Sequence, residues 1–304
     1  MKTQYQILTI AWLAVTLPDL SGAGETGAEF GFDASAGYQY DSNVNVAEID
    51  TSTGESDSAI LLSAGVNGSL PVTSKLAFNF AYDYSQTSYR QFSDFDVAIH
   101  HAQAALAYGI AGLDTGVSLD RYSARLGRER FLDITQVSPS VARLFGESFY
   151  LRAAYTRAEK SYAEAVSHNA VNDAVRADAY FLFDGMHRYL SLGYDANRED
   201  ALDVELDYKG SRAMLAYGHR IELGSLAVDL KTRLQFENRD FANVTETIDE
   251  RRRDQRMRAG FSALAPLSEY FAVTGEVEYA DNRSNLATAS FDETVYTISL
   301  MGDF

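Results

Sequence analysis

Apolar and polar side chains alternate with a period of two over unusually long stretches of this chain. In "AEFGFDASAGYQY", residues 28–40, apolar and aromatic residues hold the even positions, and acidic, polar or glycine residues hold the odd ones. "KLAFNFAYDYS" at 75–85 and "SLAVDLKTRLQFE" at 225–237 repeat the pattern. Period two predicts a β-strand with one apolar face, and these runs exceed the roughly 5–6 residues usual in a soluble sheet. The chain must therefore form long strands whose two faces meet different surroundings.

Fourteen segments with this alternation follow one another along the chain. Pro139 interrupts the sixth segment, and Gly210 and Gly218 weaken the pattern of the tenth. With an even number of antiparallel strands, the first strand begins and the last strand ends on the same side of the sheet. The predicted strands are 28–42, 58–69, 75–89, 97–110, 113–125, 135–145, 148–160, 172–184, 187–199, 206–220, 225–239, 252–265, 269–282 and 292–304.

The connections between these segments alternate in length. Short ones such as "IAGL" and "ELGS" are followed by longer polar ones such as "KSYAEAVSHNAVN". This alternation is typical of outer-membrane barrels, which have short periplasmic turns and long outer loops. Because every backbone polar group in lipid must be paired within the protein, a sheet can cross a membrane only as a closed barrel. The sequence therefore predicts an all-β, transmembrane, antiparallel up-and-down barrel of about 14 strands.

This architecture assigns the protein to the outer membrane of a Gram-negative bacterium. The parity of the connections predicts that both termini lie in the periplasm and that 42–57, 160–171 and 238–251 lie outside. Lys2, an apolar run at 7–17 and the small residues at 21–23 have the order of a secretory signal peptide. We expect residues 1–23 to be removed and residues 24–304 to form the barrel.

The last residues, "VYTISLMGDF", continue the alternation up to the final position. Closure of a barrel requires the last strand to pair with the first. Aromatic side chains favour the membrane interface, so Phe304 is predicted at the periplasmic interface. A terminal aromatic residue after alternating apolar residues also resembles the signal that the barrel-assembly machinery recognises. Tyr296 and Phe304 are the candidate residues for that signal.

Several functions are disfavoured by the composition. A net charge of −17 argues against a nucleic-acid partner, which requires a basic surface. The absence of cysteine excludes disulfides and thiolate metal sites. His100, His101 and His168 have neither the spacing of metal ligands nor a nucleophile motif beside them. We therefore predict no catalytic, metal or cofactor site, and a protein that is not an enzyme.

Cations in the last third of the chain share the polar parity of their strands. They are Lys231, Arg233, Arg256 and Arg258. Because a cation facing lipid near the bilayer midplane would cost about 2–4 kcal/mol, these side chains are expected to face the lumen. They form either a basic strip that guides anionic solutes or a salt-bridge ladder with Glu276 and Glu278 of the next strand. The acidic residues on that strand favour the ladder.

Short motifs through the chain resemble the C-terminal barrel domain of the surface lipoprotein assembly modifier family. They are "GYQYDSNVN" at 37–45, "NDAVRADAYFLF" at 172–183, "GYDANREDALDVELDYKG" at 193–210 and "RRDQRMRAGFSALAPLSEYFAVTGEVEYADNRSN" at 252–285, with the closing strand after them. The resemblance implies a 14-stranded barrel that helps move lipoproteins to the cell surface. Family members usually carry a tetratricopeptide domain before the barrel, and no such repeat is visible in this sequence.

An export role would then involve a separate periplasmic tetratricopeptide protein or a lipoprotein cargo as partner. Outer-membrane lipid, lipopolysaccharide and the barrel-assembly machinery are the other expected partners. Two further hypotheses stay open. The "DSN" at 41–43 is shared with exopolysaccharide-associated porin-like barrels, which favours a diffusion or oligosaccharide channel. A filled lumen would instead indicate a structural or adhesive barrel.

Overall fold

The computed structural model, which describes residues 27–184, 187–224 and 226–304, is a closed antiparallel barrel of fourteen strands. The predicted fold is confirmed. The barrel strands are β1 (Glu29–Asp41), β2 (Asp57–Pro71), β3 (Leu76–Tyr89), β4 (Val97–Ile110), β5 (Leu113–Leu126), β6 (Glu129–Phe145), β7 (Phe149–Tyr162), β8 (Ala170–Phe183), β9 (Arg188–Ala201), β10 (Tyr208–Leu223), β11 (Leu226–Thr245), β12 (Glu250–Pro266), β13 (Phe271–Ser284) and β14 (Phe291–Asp303).

Each strand pairs with the strands before and after it in the chain, and β14 pairs with β1 to close the ring. The closing register runs from Asp33 opposite Asp303 to Asp41 opposite Val295. Closure removes the unpaired edges that an open sheet would expose. Among the described residues, no helix is long and apolar enough to span a bilayer. The predicted signal peptide, residues 1–23, lies outside the described residues.

The two ends of the barrel differ in their connections. Short turns, together with Glu29 and Phe304, lie at one end, which we call the turn end. At Ala111 and Gly112, both central residues of the turn have positive φ, 53° and 75°, as a two-residue hairpin requires. The other end, which we call the loop end, carries the longest connection, residues 42–56, here named loop 1. Within it, Asn45–Val46 and Thr51–Ser52 pair as a small hairpin.

The barrel is polar inside and apolar outside. Large apolar side chains such as Leu62, Leu234, Phe236 and Ile298 are exposed on its outer face. The buried set instead contains many charged side chains. It includes Asp41, Asp57, Asp120, Glu237, Arg252, Asp254, Arg256, Arg258 and Glu276. This is the reverse of a soluble core, and it suits a wall with lipid on one side and a confined polar space on the other.

Two strands are longer than the sequence pattern indicates. β6 begins at Glu129 rather than 135, so a predicted long loop is a turn at 127–128. β11 continues to Thr245 rather than 239, so most of the predicted loop 238–251 is strand, with a register shift between Asp240 and Val244. The charged residues of these segments resemble loop composition. At the loop end, however, these charged segments stay hydrogen-bonded to the neighbouring strands, although they lack the apolar outer face that contact with lipid requires.

Candidate functional site

Side chains from every barrel strand line one cavity of about 1140 Å³ inside the barrel. Its lining extends from Lys75 and Asp303 at the turn end to Asp50 and His168 at the loop end. The cavity therefore follows the barrel axis, and a solute or segment of chain that crosses the wall would have to pass through it. The lumen is the candidate functional site.

The predicted basic strip lies on the lumenal parity of two adjacent strands. Arg256 and Arg258 on β12 are buried and line the cavity. Lys231 and Arg233 on β11 share the parity of Gln235, which is also buried. The strip is therefore one patch of the lumen wall, contributed by β11 and β12.

The cations of the strip differ in the partners that they contact. Arg233 is ion-paired with Glu276 of β13. Arg256 lies 3.7 Å from the Asp254 carboxylate on its own strand, whereas the ladder interpretation paired the strip with β13. The Nε and Nη1 atoms of Arg258 are buried without a hydrogen-bond partner. Glu278 has the lumenal parity of β13 and lies opposite Gly260 in the register.

Buried ion pairs are concentrated on β7–β13, a surface we call the paired wall. The Glu237 side chain is 2% exposed, and its carboxylate accepts from Arg239 Nε at 2.6 Å and from Arg212 Nε at 3.3 Å. Lys160 Nζ lies 2.6 Å from Glu199 Oε2, which also accepts from Asn172 at 2.9 Å. Lys160, Arg212 and Arg239 on this wall therefore share the lumen with carboxylates that neutralise them.

Five neighbouring strands of the ring form a contrasting surface, which we call the acidic wall. The strands β14, β1, β2, β3 and β4 contain no lysine or arginine. Their carboxylates are held by neutral or weakly basic groups. Tyr89 donates to Asp41 at 2.8 Å, and His101 lies 3.1 Å from Asp83 and 3.1 Å from Asp120 on β5. Negative charge on this side of the lumen is not neutralised by a strong cation of its own strands.

The family model for the surface lipoprotein assembly modifier matches residues 30–304, which cover all fourteen strands except Glu29, the first residue of β1. The chain belongs to the surface lipoprotein assembly modifier family. No curated protein sequence matches it.

Solved barrels share the fold of this family member. An anion-selective porin from Comamonas acidovorans superposes with a TM-score of 0.55 at 11% identity, over 92% of this chain and 100% of the porin. OmpT, an outer membrane protein of Vibrio cholerae, superposes in its trimer form with a TM-score of 0.54 at 8% identity, over 91% of this chain and 99% of that chain. At these identities the likeness concerns the fold alone. It identifies a closed antiparallel β-barrel.

The two residues proposed as an assembly signal lie on the seam where this family member closes. Phe304 exchanges backbone hydrogen bonds with Phe32, at 2.8 and 3.0 Å. Its ring stacks on Tyr270 with centroids 6.0 Å apart. Tyr296 is opposite Tyr40 in the register, and both are exposed on the outer face. The last residue is thus held by β1 and by an aromatic cluster at the turn end.

The sequence reasoning missed both the acidic wall and the carboxylates that neutralise the cations of β7–β10. The acidic wall had a signal in the sequence. The predicted strands 28–42, 58–69, 75–89, 97–110 and 292–304 adjoin one another in an up-and-down ring, and their only lysine or arginine is Lys75, at the first position of 75–89. The second had none, because the contact between Arg212 and Glu237 depends on the register of β10 against β11.

Proposed function

We propose that this barrel is of the translocation type and helps deliver lipoproteins to the cell surface. The family match over all fourteen strands is the observation that carries the proposal. A lumen lined by polar side chains from end to end supports it, because a hydrophilic segment in transit would exchange hydrogen bonds with water for hydrogen bonds with the wall. The chemistry required is passage rather than bond cleavage, so we propose a protein that is not an enzyme.

Surface exposure of a lipoprotein tests this proposal directly. The barrel is co-expressed in a Gram-negative host with each candidate lipoprotein, alone and with a tetratricopeptide protein from the same source. Protease digestion of intact cells should then remove the lipoprotein only when the barrel is present. A porin of similar size serves as the control barrel. Equal digestion with the control barrel, or none with any candidate, would contradict the export role.

A porin-like diffusion channel is the second candidate, and the size and polarity of the lumen favour it. A cavity of about 1140 Å³ accommodates a small solute. Planar-bilayer recordings of the purified barrel separate this candidate from a structural or adhesive barrel, which should not conduct. Conductance without lipoprotein delivery would favour diffusion of ions, sugars or oligosaccharides.

We also propose an orientation in the membrane. Cleavage after Ala23 would release the chain to the periplasm, where the barrel-assembly machinery would insert it with its turn end inward. The predicted outer loops 42–57, 160–171 and 238–251 contain the connections 42–56, 163–169 and 246–249. Epitope tags placed in these connections should be accessible on intact cells, beside lipopolysaccharide. Labelling that appears only after permeabilisation would reverse the orientation.

The assembly signal has a separate test. Deletion of Phe304 removes the two backbone hydrogen bonds to Phe32 and the aromatic contact with Tyr270. Insertion should slow, and unfolded protein should collect in the periplasm. Phe304→Tyr, which keeps the ring and the backbone, is the matched control. Normal amounts of heat-modifiable barrel after the deletion would remove Phe304 from the signal.

A further inference from the structure

Loop 1 is a folded element in its own right. Its hairpin aligns Asn45 with Ser52, and the Asn43 side chain accepts from Ser52 Oγ at 2.6 Å and from the Gly54 amide at 3.1 Å. Val44 is fully buried within it. The loop therefore has enough internal contacts to move as a unit rather than as a loose chain.

The tip of this loop enters the lumen. Ala47, Glu48 and Asp50 are among the side chains that line the cavity. Ile49 packs against a buried apolar cluster. The members of that cluster are Ala124 on β5, Leu132 and Ile134 on β6, and Ala158 and Tyr162 on β7. Since β3 and β4 separate loop 1 from this cluster in the ring, the tip has crossed part of the barrel mouth.

The next residue contacts a different wall. Asp50 accepts from Arg252 Nη1 at 2.5 Å and from Arg252 Nη2 at 2.8 Å. Arg252 lies on β12, which β13 and β14 separate from loop 1 on the other side of the ring. Ile49 and Asp50 thus connect β5–β7 with β12 across the lumen.

The guanidinium of Arg252 is preorganised for this contact by its neighbours. Its guanidinium is held by Asp254 through two hydrogen bonds of 2.9 Å and lies over the Phe241 ring at 4.6 Å. A bidentate carboxylate contact with a fixed guanidinium is strong and geometrically selective. Asp50 adopts φ 51° and ψ 39°, a left-handed conformation that Asp and Asn tolerate better than most residues.

We propose that the apolar cluster on β5–β7 and Arg252 on β12 form a two-part binding site for an aliphatic side chain followed by a carboxylate, and that Ile49 and Asp50 of loop 1 occupy it as a latch that closes the loop end of the lumen. Passage through the barrel requires the latch to leave. The barrier to passage through the lumen is then determined by two adjacent residues rather than by the width of the barrel.

Conductance of the purified barrel in planar bilayers tests the latch. Asp50→Asn keeps the size of the side chain and its tolerance of the left-handed conformation, but removes the charge that Arg252 binds. Loss of a charge-assisted bidentate contact should raise the open fraction about tenfold. Ile49→Ser should have the same direction of effect. Glu55→Gln, which removes an exposed acid from the same loop, is the matched control and should leave the current unchanged.

A locked variant gives the converse measurement. Because the chain has no cysteine, Ile49→Cys with Ala158→Cys can be bridged by a short bis(methanethiosulfonate) reagent and released by a reductant. We expect the current to fall on bridging and to return on release. The reagent should leave the current of each single-cysteine variant unchanged. Equal currents in Asp50→Asn and Glu55→Gln, undiminished current after bridging, or no current in any variant would overturn the latch. None of these results depends on lipoprotein delivery.

Discussion

The acidic wall and the paired wall solve the problem of lumenal charge in different ways. On β7–β13, the buried Glu237 carboxylate forms ion pairs with both Arg212 and Arg239, so its negative charge is neutralised. On β14 and β1–β4, carboxylates meet hydroxyls, amides and one histidine. A buried charge without its partner is costly. The paired wall should therefore determine stability, and the acidic wall should determine which ions enter.

This division changes the expected electrostatics of the lumen. The basic strip on β11 and β12 suggested attraction of anions, but Arg233 is neutralised by Glu276 and Arg256 lies beside Asp254. The acidic wall has no such compensation from lysine or arginine on its own strands. A field of unneutralised carboxylates concentrates cations. An open lumen should therefore conduct cations in preference to anions.

The largest expected effect concerns the stability of the paired wall. Glu237→Gln retains the shape of the side chain but removes the counterion that Arg212 and Arg239 share. We expect a loss of about 3–5 kcal/mol in the free energy of unfolding, the usual consequence of breaking a buried ion pair. Urea titration of the folded barrel in detergent measures it.

Asp33→Asn on the acidic wall is the matched control for that change. Removing this charge should alter the free energy of unfolding by less than about 0.5 kcal/mol. The strands β14 and β1–β4 contain no lysine or arginine that would lose an ion pair. Similar losses in the two variants would show that the walls do not differ in the way described.

The second effect concerns ion selectivity. Asp33 and Asp303 lie directly opposite each other on β1 and β14, and like charges in such positions repel. Replacing both with asparagine should lower the permeability ratio of cations to anions several-fold, because the local concentration of cations falls. The reversal potential in a salt gradient reports the ratio. A potential that moves in the opposite direction would place the selective charges elsewhere.

The smallest expected effect is on the basic strip. Arg256→Ser with Arg258→Ser should shift the reversal potential further towards cations and reduce the free energy of unfolding by about 1 kcal/mol. The loss is smaller than for Glu237→Gln because Asp254 retains its bonds to Arg252. A large loss of stability would indicate that the strip belongs to the same network as Glu237. No change in either quantity would remove the strip from the functional lumen.

The sequence sufficed for the fold because period two survives along each strand and determines which residues share a face. The parity of Arg256 and Arg258 followed from the same pattern. Pairing across strands did not follow, since a carboxylate such as Glu237 meets its cations only once the registers of β10 and β11 are set. The contact between Asp50 and Arg252 joins residues 202 positions apart. Only the folded barrel brings them together.

The seam between β1 and β14 has a consequence for the order of folding. All other pairings join successive strands, so each can form as a local hairpin soon after its residues are available. The seam joins the two ends of the sheet, and its last hydrogen bonds come from Phe304 itself. Until β14 pairs with β1, both strands are open edges that can pair with other chains. Completion of this barrel therefore depends on one non-local pairing in addition to a series of local ones.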